Sequence, residues 1–327
     1  MITILYAQGD NVTHSQDAAI LSTLLPDTQR VFWLDLEAPT ASEFDLLRDV
    51  FHFHPLAIED AMRPHQRPKL DEYDGYCFLV ADEVSLDTGA LQSPETEEDA
   101  VQTRQLSMFL GANYLVTIHI QPVEAVRSCR ERCDHRHTIL ERDPGFLLYS
   151  LLDVLVDRYF PLLETLDSLM DDLEDRIVDR PEPDALQTIF AIKRNLTRLR
   201  RHAGPLREVL QTLTTRNIPG IQESALPYLR DVADHLFRIY ETLDSYRDLM
   251  SNMLDAYLSQ VSNEMNRIMQ KLTAVATVFM PLTFITGVFG MNFAVEPWLH
   301  TNFWFWMVLM VTLGIGTYAW FHRRKIV

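Results

Sequence analysis

Hydrophobic positions along the chain change their period twice. Over the first part, short runs of branched and aromatic residues at Ile2–Tyr6, Val31–Leu36, Tyr76–Val80, Gln105–Phe109 and Tyr114–Ile118 predict strands. Between them Ser42–Phe51 has helical spacing, with Ser42 as the expected N-cap and Asp45 in the first turn. Leu86–Asp99 contains Gly89, Pro94 and an acidic cluster, and predicts a hairpin loop or exposed connection. Residues 1–145 therefore predict an α/β domain.

From Phe146 the period becomes helical. Leu147, Leu151, Val154, Leu155, Leu162, Leu166, Leu169 and Leu173 recur at threes and fours until Arg180-Pro181-Glu182-Pro183-Asp184 interrupts them, with Asp184 placed to cap the next helix. The first helix carries Asp167, Asp171, Asp172, Glu174, Asp175 and Asp179, and the second Lys193, Arg194, Arg198, Arg200 and Arg201. Acidic returning into basic predicts a charge-complementary hairpin. After Pro227 there is no proline until Pro281 and no glycine until Gly287. A helix from about Tyr228 to Gly290 would be on the order of 90 Å long, several times a bilayer core. Such a helix needs partners along its length, and copies of the same chain are the economical source. Residues 146–266 thus read as a helical hairpin and the start of a long stalk helix.

The second change of pattern is the loss of charge. Leu272–Val295 and Thr301–Phe321 carry no charged side chain, runs of 24 and 21 residues, each long enough to cross a bilayer. Glu296–His300 allows only a tight turn between them, so the expected organisation is a hairpin: a first membrane helix over 267–293, an external loop over 294–300 and a second helix over 301–321. The basic tail His322-Arg323-Arg324-Lys325, within 322–327, places the C-terminus in the cytoplasm. Two crossings return the N-terminal part to the same side, and Met1–Asp10 has no signal-peptide character.

Composition sharpens this division. Of 46 acidic and 29 basic side chains in 327 residues, the first 266 residues hold 45 and 24, a net −21. An acidic body on a nearly uncharged tail makes cations the natural partners and argues against nucleic acid. Cys77, Cys129 and Cys133 give no disulfide framework. Cys129, Cys133, His135 and His137 have a zinc-like composition, but on a helix they are strung along two turns, and a solvated or interface helix is the simpler reading. His52, His54 and His65 have no nucleophile at a motif spacing, and there is no glycine-rich phosphate loop, so nothing points to an enzyme or an organic cofactor.

Stepping by threes and fours from Asp255 keeps one helix face: Asp255, Ser259, Ser262, Asn266, Met269, Leu272, Ala276, Met280, Thr283, Gly287. A coiled-coil seam would be leucine and isoleucine here. This face is polar or small first, then thioether, aliphatic and hydroxyl, as for helices lining a water-filled axis with apolar constrictions. Spacing alone leaves a second reading equally open, in which Asn266 fixes register and the methionines fill core space.

At Gly290-Met291-Asn292, where the first span ends, the sequence resembles the CorA family of divalent-cation channels. Phe279-Met280-Pro281-Leu282-Thr283-Phe284-Ile285 before it and the basic tail after the second span match too. So does an independent block, His54-Pro55-Leu56-Ala57-Ile58-Glu59-Asp60 with His65-Gln66-Arg67-Pro68-Lys69 and Tyr73. The resemblance implies an α+β membrane protein built as a homopentameric funnel: an N-terminal α/β cytosolic domain, a long helical stalk and two C-terminal transmembrane helices in the cell inner membrane. It implies a selectivity ring of Asn292, shaped by Gly290 and Met291 and holding a hydrated ion through its waters. It further implies a pore lined by Asp255, Asn266, Met269, Leu272, Ala276, Met280, Thr283 and Gly287. Transported Mg²⁺, with Co²⁺ and Ni²⁺, and regulatory Mg²⁺ bound between subunits at Asp231 and Asp87 are its expected ions. A zinc transporter of the same superfamily, perhaps proton-coupled, is the alternative.

Overall fold

The computed structural model describes residues 1–8, 11–64, 66–87, 89, 100–135, 138–179, 182–290 and 303–323. These form two units, Met1–Arg176 with Glu182–Leu254, and Ile177–Pro181 with Asp255–Val327.

The first unit is organised by a seven-stranded sheet. In chain order its strands are β1 (Ile2–Gln8), β2 (Asn11–Ser15), β3 (Phe32–Glu37), β4 (Lys69–Tyr73), β5 (Tyr76–Leu86), β6 (Val101–Gly111) and β7 (Tyr114–His119), arranged β2-β1-β3-β7-β6-β5-β4. Only β3 and β7 pair in parallel, with Leu34 opposite Val116. The five strands expected from sequence are all present. They read as unbroken apolar runs because both sheet faces are covered. Ile4, Leu34, Phe78, Phe109 and Val116 enter one core with Leu47, Phe53 and Ala57. The alternate residues Leu5, Trp33, Leu79, Met108 and Leu115 are buried as well, on the opposite face. β2 and β4 escaped the sequence reading because they are the two edges, and their polar sequences Asn-Val-Thr-His-Ser and Lys-Leu-Asp-Glu-Tyr lack an apolar run.

Short helices α1 (Leu21–Leu24), α2 (Ala41–Asp49) and α3 (Pro55–Met62) contribute to the first core. The N-cap of α2 lies two residues before the expected one: Thr40 takes that place, and its backbone N–H donates to the Glu43 carboxylate at 2.7 Å in a capping box. The block from His54 to Asp60 builds fold rather than chemistry. His54 caps α3 through Nδ1, which accepts from the Leu56 N–H at 3.2 Å, and Pro55 occupies the first turn. Asp60 then holds Lys69 of β4 at 2.6 Å.

On the other side α4 (Glu124–His135) and the single turn α5 (Thr138–Glu141) precede α6 (Pro144–Asp157), which packs across β5, β6 and β7. The helix expected from Phe146 onward is interrupted at Arg158 and resumes as α7 (Tyr159–Asp179). α8 (Pro183–Thr215) follows, with Glu182 rather than Asp184 at its N-cap. The long α9 (Leu226–Gly290) runs on for 65 residues. Its first half buries Leu229, Val232, Leu236, Ile239, Leu243, Met250, Met253 and Tyr257, in steps of three and four with one full step of seven at Leu243–Met250, which is the heptad period. The buried face of α7 is Leu163, Leu166, Met170, Leu173 and Ile177, so Leu162 and Leu169 lie at its edge. Among the described residues, side chains of α8 find charged partners in α9 and the sheet. Arg200 reaches Asp244 at 3.0 Å, and His202 reaches Asp82 at 2.7 Å.

Candidate functional site

In the second unit, α9 continues from Asp255 and is joined by α10 (Phe303–Arg323). A Cβ added at Gly314 of α10 would meet Leu282 Cδ1 of α9 at 3.7 Å, so the two helices approach closely there. Both are apolar over lengths that can cross a membrane, and almost none of either apolar stretch is buried within one chain. Trp304, Phe305, Val308 and Ile315 of α10 are exposed, as are Phe279 and Phe284 of α9. A soluble core helix would bury these side chains, so this surface calls for lipid or other copies of the chain.

The stripe from Asp255 to Gly287 is intact as a helical face. At 100° per residue its ten members fall within an arc of about 140°. Every one is exposed in the single chain, Met280 most among the large apolar side chains at 73%. Asp255 and Asn266 have no ion-pair or hydrogen-bond partner among the described residues. Thr283 donates to the Phe279 carbonyl at 2.9 Å, which fixes the hydroxyl while leaving its lone pairs available. Pro281 lies inside the helix and removes one backbone donor between Met280 and Thr283. α9 ends at Gly290, whereas Met291 and Asn292 lie outside the described residues. The face thus offers carboxylate, hydroxyl and amide oxygens early and large apolar side chains later, with no imidazole or thiol.

Asp231 lies in the second turn of α9 with its carboxylate 65% exposed, and His235 Nε2 stands 3.8 Å away. Asp153 and Asp157 of α6 belong to the same surface. Burial, followed by the charge of Asp153 and then more weakly that of Asp231, pushes the Asp157 carboxyl up, while His235 and Arg132 oppose this. Sequence reasoning missed these two neighbours. Their i, i+4 spacing on a helix was visible, but its approach to Asp231 depends on the tertiary fold. Asp87 follows β5, and its Oδ1 accepts from the Gly89 N–H at 2.9 Å. Among the described residues no group of three or more His, Cys, Asp or Glu is placed to hold a metal. Asp231 is therefore an exposed carboxylate beside other acids, and one chain holds no complete metal site among the described residues.

Cys129 and Cys133 are fully buried in α4. Their mutual hydrogen bond and burial push the Cys129 thiol well above its ordinary value, away from the thiolate that zinc requires. His135 is exposed and His137 lies outside the described residues.

A mixed sheet with helices, followed by two exposed apolar helices, is an architecture shared with known proteins. The family model described as CorA-like Mg²⁺ transporter protein matches residues 28–323. The chain belongs to this family. The cobalt/magnesium transport protein CorA of Thermotoga maritima is 38% identical over 268 residues, covering 82% of this chain and 74% of that protein. The complete structure of the CorA magnesium transporter from Methanocaldococcus jannaschii shares the fold with a TM-score of 0.82 and 23% identity, over 99% of this chain and 98% of that one. The ZntB cytoplasmic domain from Vibrio parahaemolyticus also shares it, with a TM-score of 0.64 and 12% identity over 80% of this chain and 98% of that one. Membership makes α9 and α10 the membrane-crossing helices of a CorA-like divalent-cation transporter.

Proposed function

We propose that the chain assembles as a homopentameric channel in the cell inner membrane, with both termini cytoplasmic, and carries Mg²⁺, together with Co²⁺ and Ni²⁺. The observation that carries this reading is the exposed face of α9, polar and small and then apolar, which leads to Gly290-Met291-Asn292. Five copies turning this face to a common axis would line a path whose donors are oxygens, suited to a hard cation that keeps its water shell. Asn292 amides would hold the hydrated ion by hydrogen bonds to its waters. Leu272 and Met280 would form collars that gate by dewetting. The acidic surface at Asp231, joined by Asp87 of a neighbouring copy, would bind Mg²⁺ between subunits and hold the ring closed. No enzymatic step or organic cofactor enters.

A zinc transporter is the second reading, supported by the shared fold of the ZntB domain. The absence of nitrogen and thiolate donors from the α9 face favours Mg²⁺, because zinc prefers those ligands. Ion flux into liposomes holding the purified protein, compared for Mg²⁺ and Zn²⁺ with and without a pH gradient, tests both. Mg²⁺ flux independent of the gradient is expected. Flux of Zn²⁺ alone, driven by the gradient, would replace the first reading with the second.

A further inference from the structure

The basic residues of α8 were expected to neutralise α7, and several turn elsewhere. Arg198, Arg201 and His202, spaced i, i+3 and i+4, line a cleft of about 620 Å³ in the first unit, between α8, the first half of β6 and the residues after β7. Arg67 and Arg104 enter the same cleft from the chain before β4 and from β6. Four guanidinium groups thus converge inside a body of strong net negative charge, which is the reverse of what the composition predicts for a random surface.

The cleft is not simply a knot of ion pairs. Among the described residues Asp82 is the acid lining it, and it is buried and committed to His202 at 2.7 Å. Arg104 stands 3.4 Å from the buried Glu83, and Arg198 donates to the Val101 carbonyl at 3.2 Å. Arg67 and Arg201 are exposed and have no partner among the described residues. The second cleft shows the contrast. There Lys69 is satisfied by Asp60 and Asp71, and Arg216 by Glu72. Gln66, Gln102 and Thr103 add amide and hydroxyl groups to the first cleft.

We propose that this cleft binds a polyphosphate-bearing small molecule. Guanidinium forks match phosphate oxygens bidentately, and charge-assisted hydrogen bonds of this kind are the strong ones. The volume lies within the roughly 300–1,000 Å³ of sites for small ligands. Among the described residues no Phe, Tyr or Trp lines the cleft, and of its two imidazoles His202 is held by Asp82 and His119 lies against Asp35, so recognition rests on the phosphates. The inference stands apart from the transport reading, since it uses none of the α9 face.

Binding of inorganic tripolyphosphate to the purified full-length protein in detergent, without divalent cation and at low ionic strength, tests it by calorimetry. Micromolar affinity is expected. Arg201→Ala and Arg67→Ala should each weaken it about ten- to hundredfold, as loss of a charge-assisted contact implies. Arg201→Lys should recover only part, and Arg216→Ala none of the loss because it should cause none. Both test residues are exposed and have no partner among the described residues, so the variants should fold, and gel filtration checks the oligomer. Parental affinity in Arg201→Ala, or no binding at millimolar tripolyphosphate, would overturn the proposal. Equal affinity for citrate would overturn the phosphate assignment. A changed oligomer with unchanged affinity would make the cleft a subunit contact instead.

Discussion

Gly220 occupies the left-handed region at φ +84°, and a methyl group there would meet the Gly111 carbonyl oxygen at 2.2 Å. The Gly220 carbonyl also accepts from the Gly145 N–H at 2.8 Å, while the buried Asp143 caps α6 and accepts from Ser224. These contacts fasten the start of α9, and so Asp231, to the end of β6 and to α6. Gly220→Ala should lower stability by at least the order of 1–3 kcal/mol of backbone strain, measured as a lower midpoint of thermal unfolding. A second effect belongs to the face that holds Trp33. Trp33 Nε1–H donates to Thr117 Oγ1, which donates to the buried Asp35, and His119 lies 3.3 Å from that carboxylate. Burial works against the imidazolium, but Asp35, the Gln121 carbonyl and Glu37 outweigh it and hold His119 above its ordinary 6.5. The stabilisation is therefore complete below pH 6.5 and fades as pH rises through the folded value. Unfolding midpoints should fall from pH 6 towards neutral and above, and His119→Gln should flatten that slope. None of this was legible in the sequence, because Gly111 and Gly220, or Asp35 and His119, meet only through the fold. Asn292 was legible as a motif residue. Asn292→Ala should abolish Mg²⁺ uptake and leave the oligomer assembled, and uptake at the parental level would remove the amide ring from the selectivity reading.

At the scale of elements, periodicity carried most of what could be read. The apolar strands, the three long helices and the uncharged spans are set by local pattern. The polar edges β2 and β4 are set by pairing with a neighbour and left no pattern of their own. Likewise the stripe in α7 was displaced by one position, because Leu162-Leu163 and Leu169-Met170 are adjacent apolar pairs and packing chooses between them. In α9 the face covered by its own chain and the face left for other partners both recur at threes and fours. The sequence showed the second through its polarity alone, and spacing could not separate a pore from a register device. The structure adds that the stripe is uncovered within one chain, which the core-filling reading did not require. Met280→Asp, or Leu272→Asp, should wet the collar in every copy and raise conductance several-fold at low Mg²⁺, measured in liposomes. Conductance equal to the parent's in both variants would show that neither residue closes the path.

At the scale of the whole molecule, charge is the dominant fact. In the five-copy ring proposed above, the net −21 of each acidic body would gather on the order of a hundred negative charges about one axis, only partly screened by salt. Divalent ions held between subunits would relieve that repulsion and favour the closed ring. Their loss as Mg²⁺ falls would let the subunits shift towards conducting states. Asp231 is placed for this because Asp153 and Asp157 already crowd negative charge beside it, and its own carboxylate is largely exposed. Asp231→Lys puts a fixed cation where the bound ion would act. Limited proteolysis of the full-length protein across a Mg²⁺ titration should then show the parent protected with a clear midpoint. The variant should be protected already at low Mg²⁺ and depend on the ion much less. The same substitution separates a sensor from mere solubility, since losing one surface carboxylate among many would leave the midpoint where it was. Equal midpoints in parent and variant would exclude Asp231 from the sensor while leaving the α9 face and its transport reading untouched.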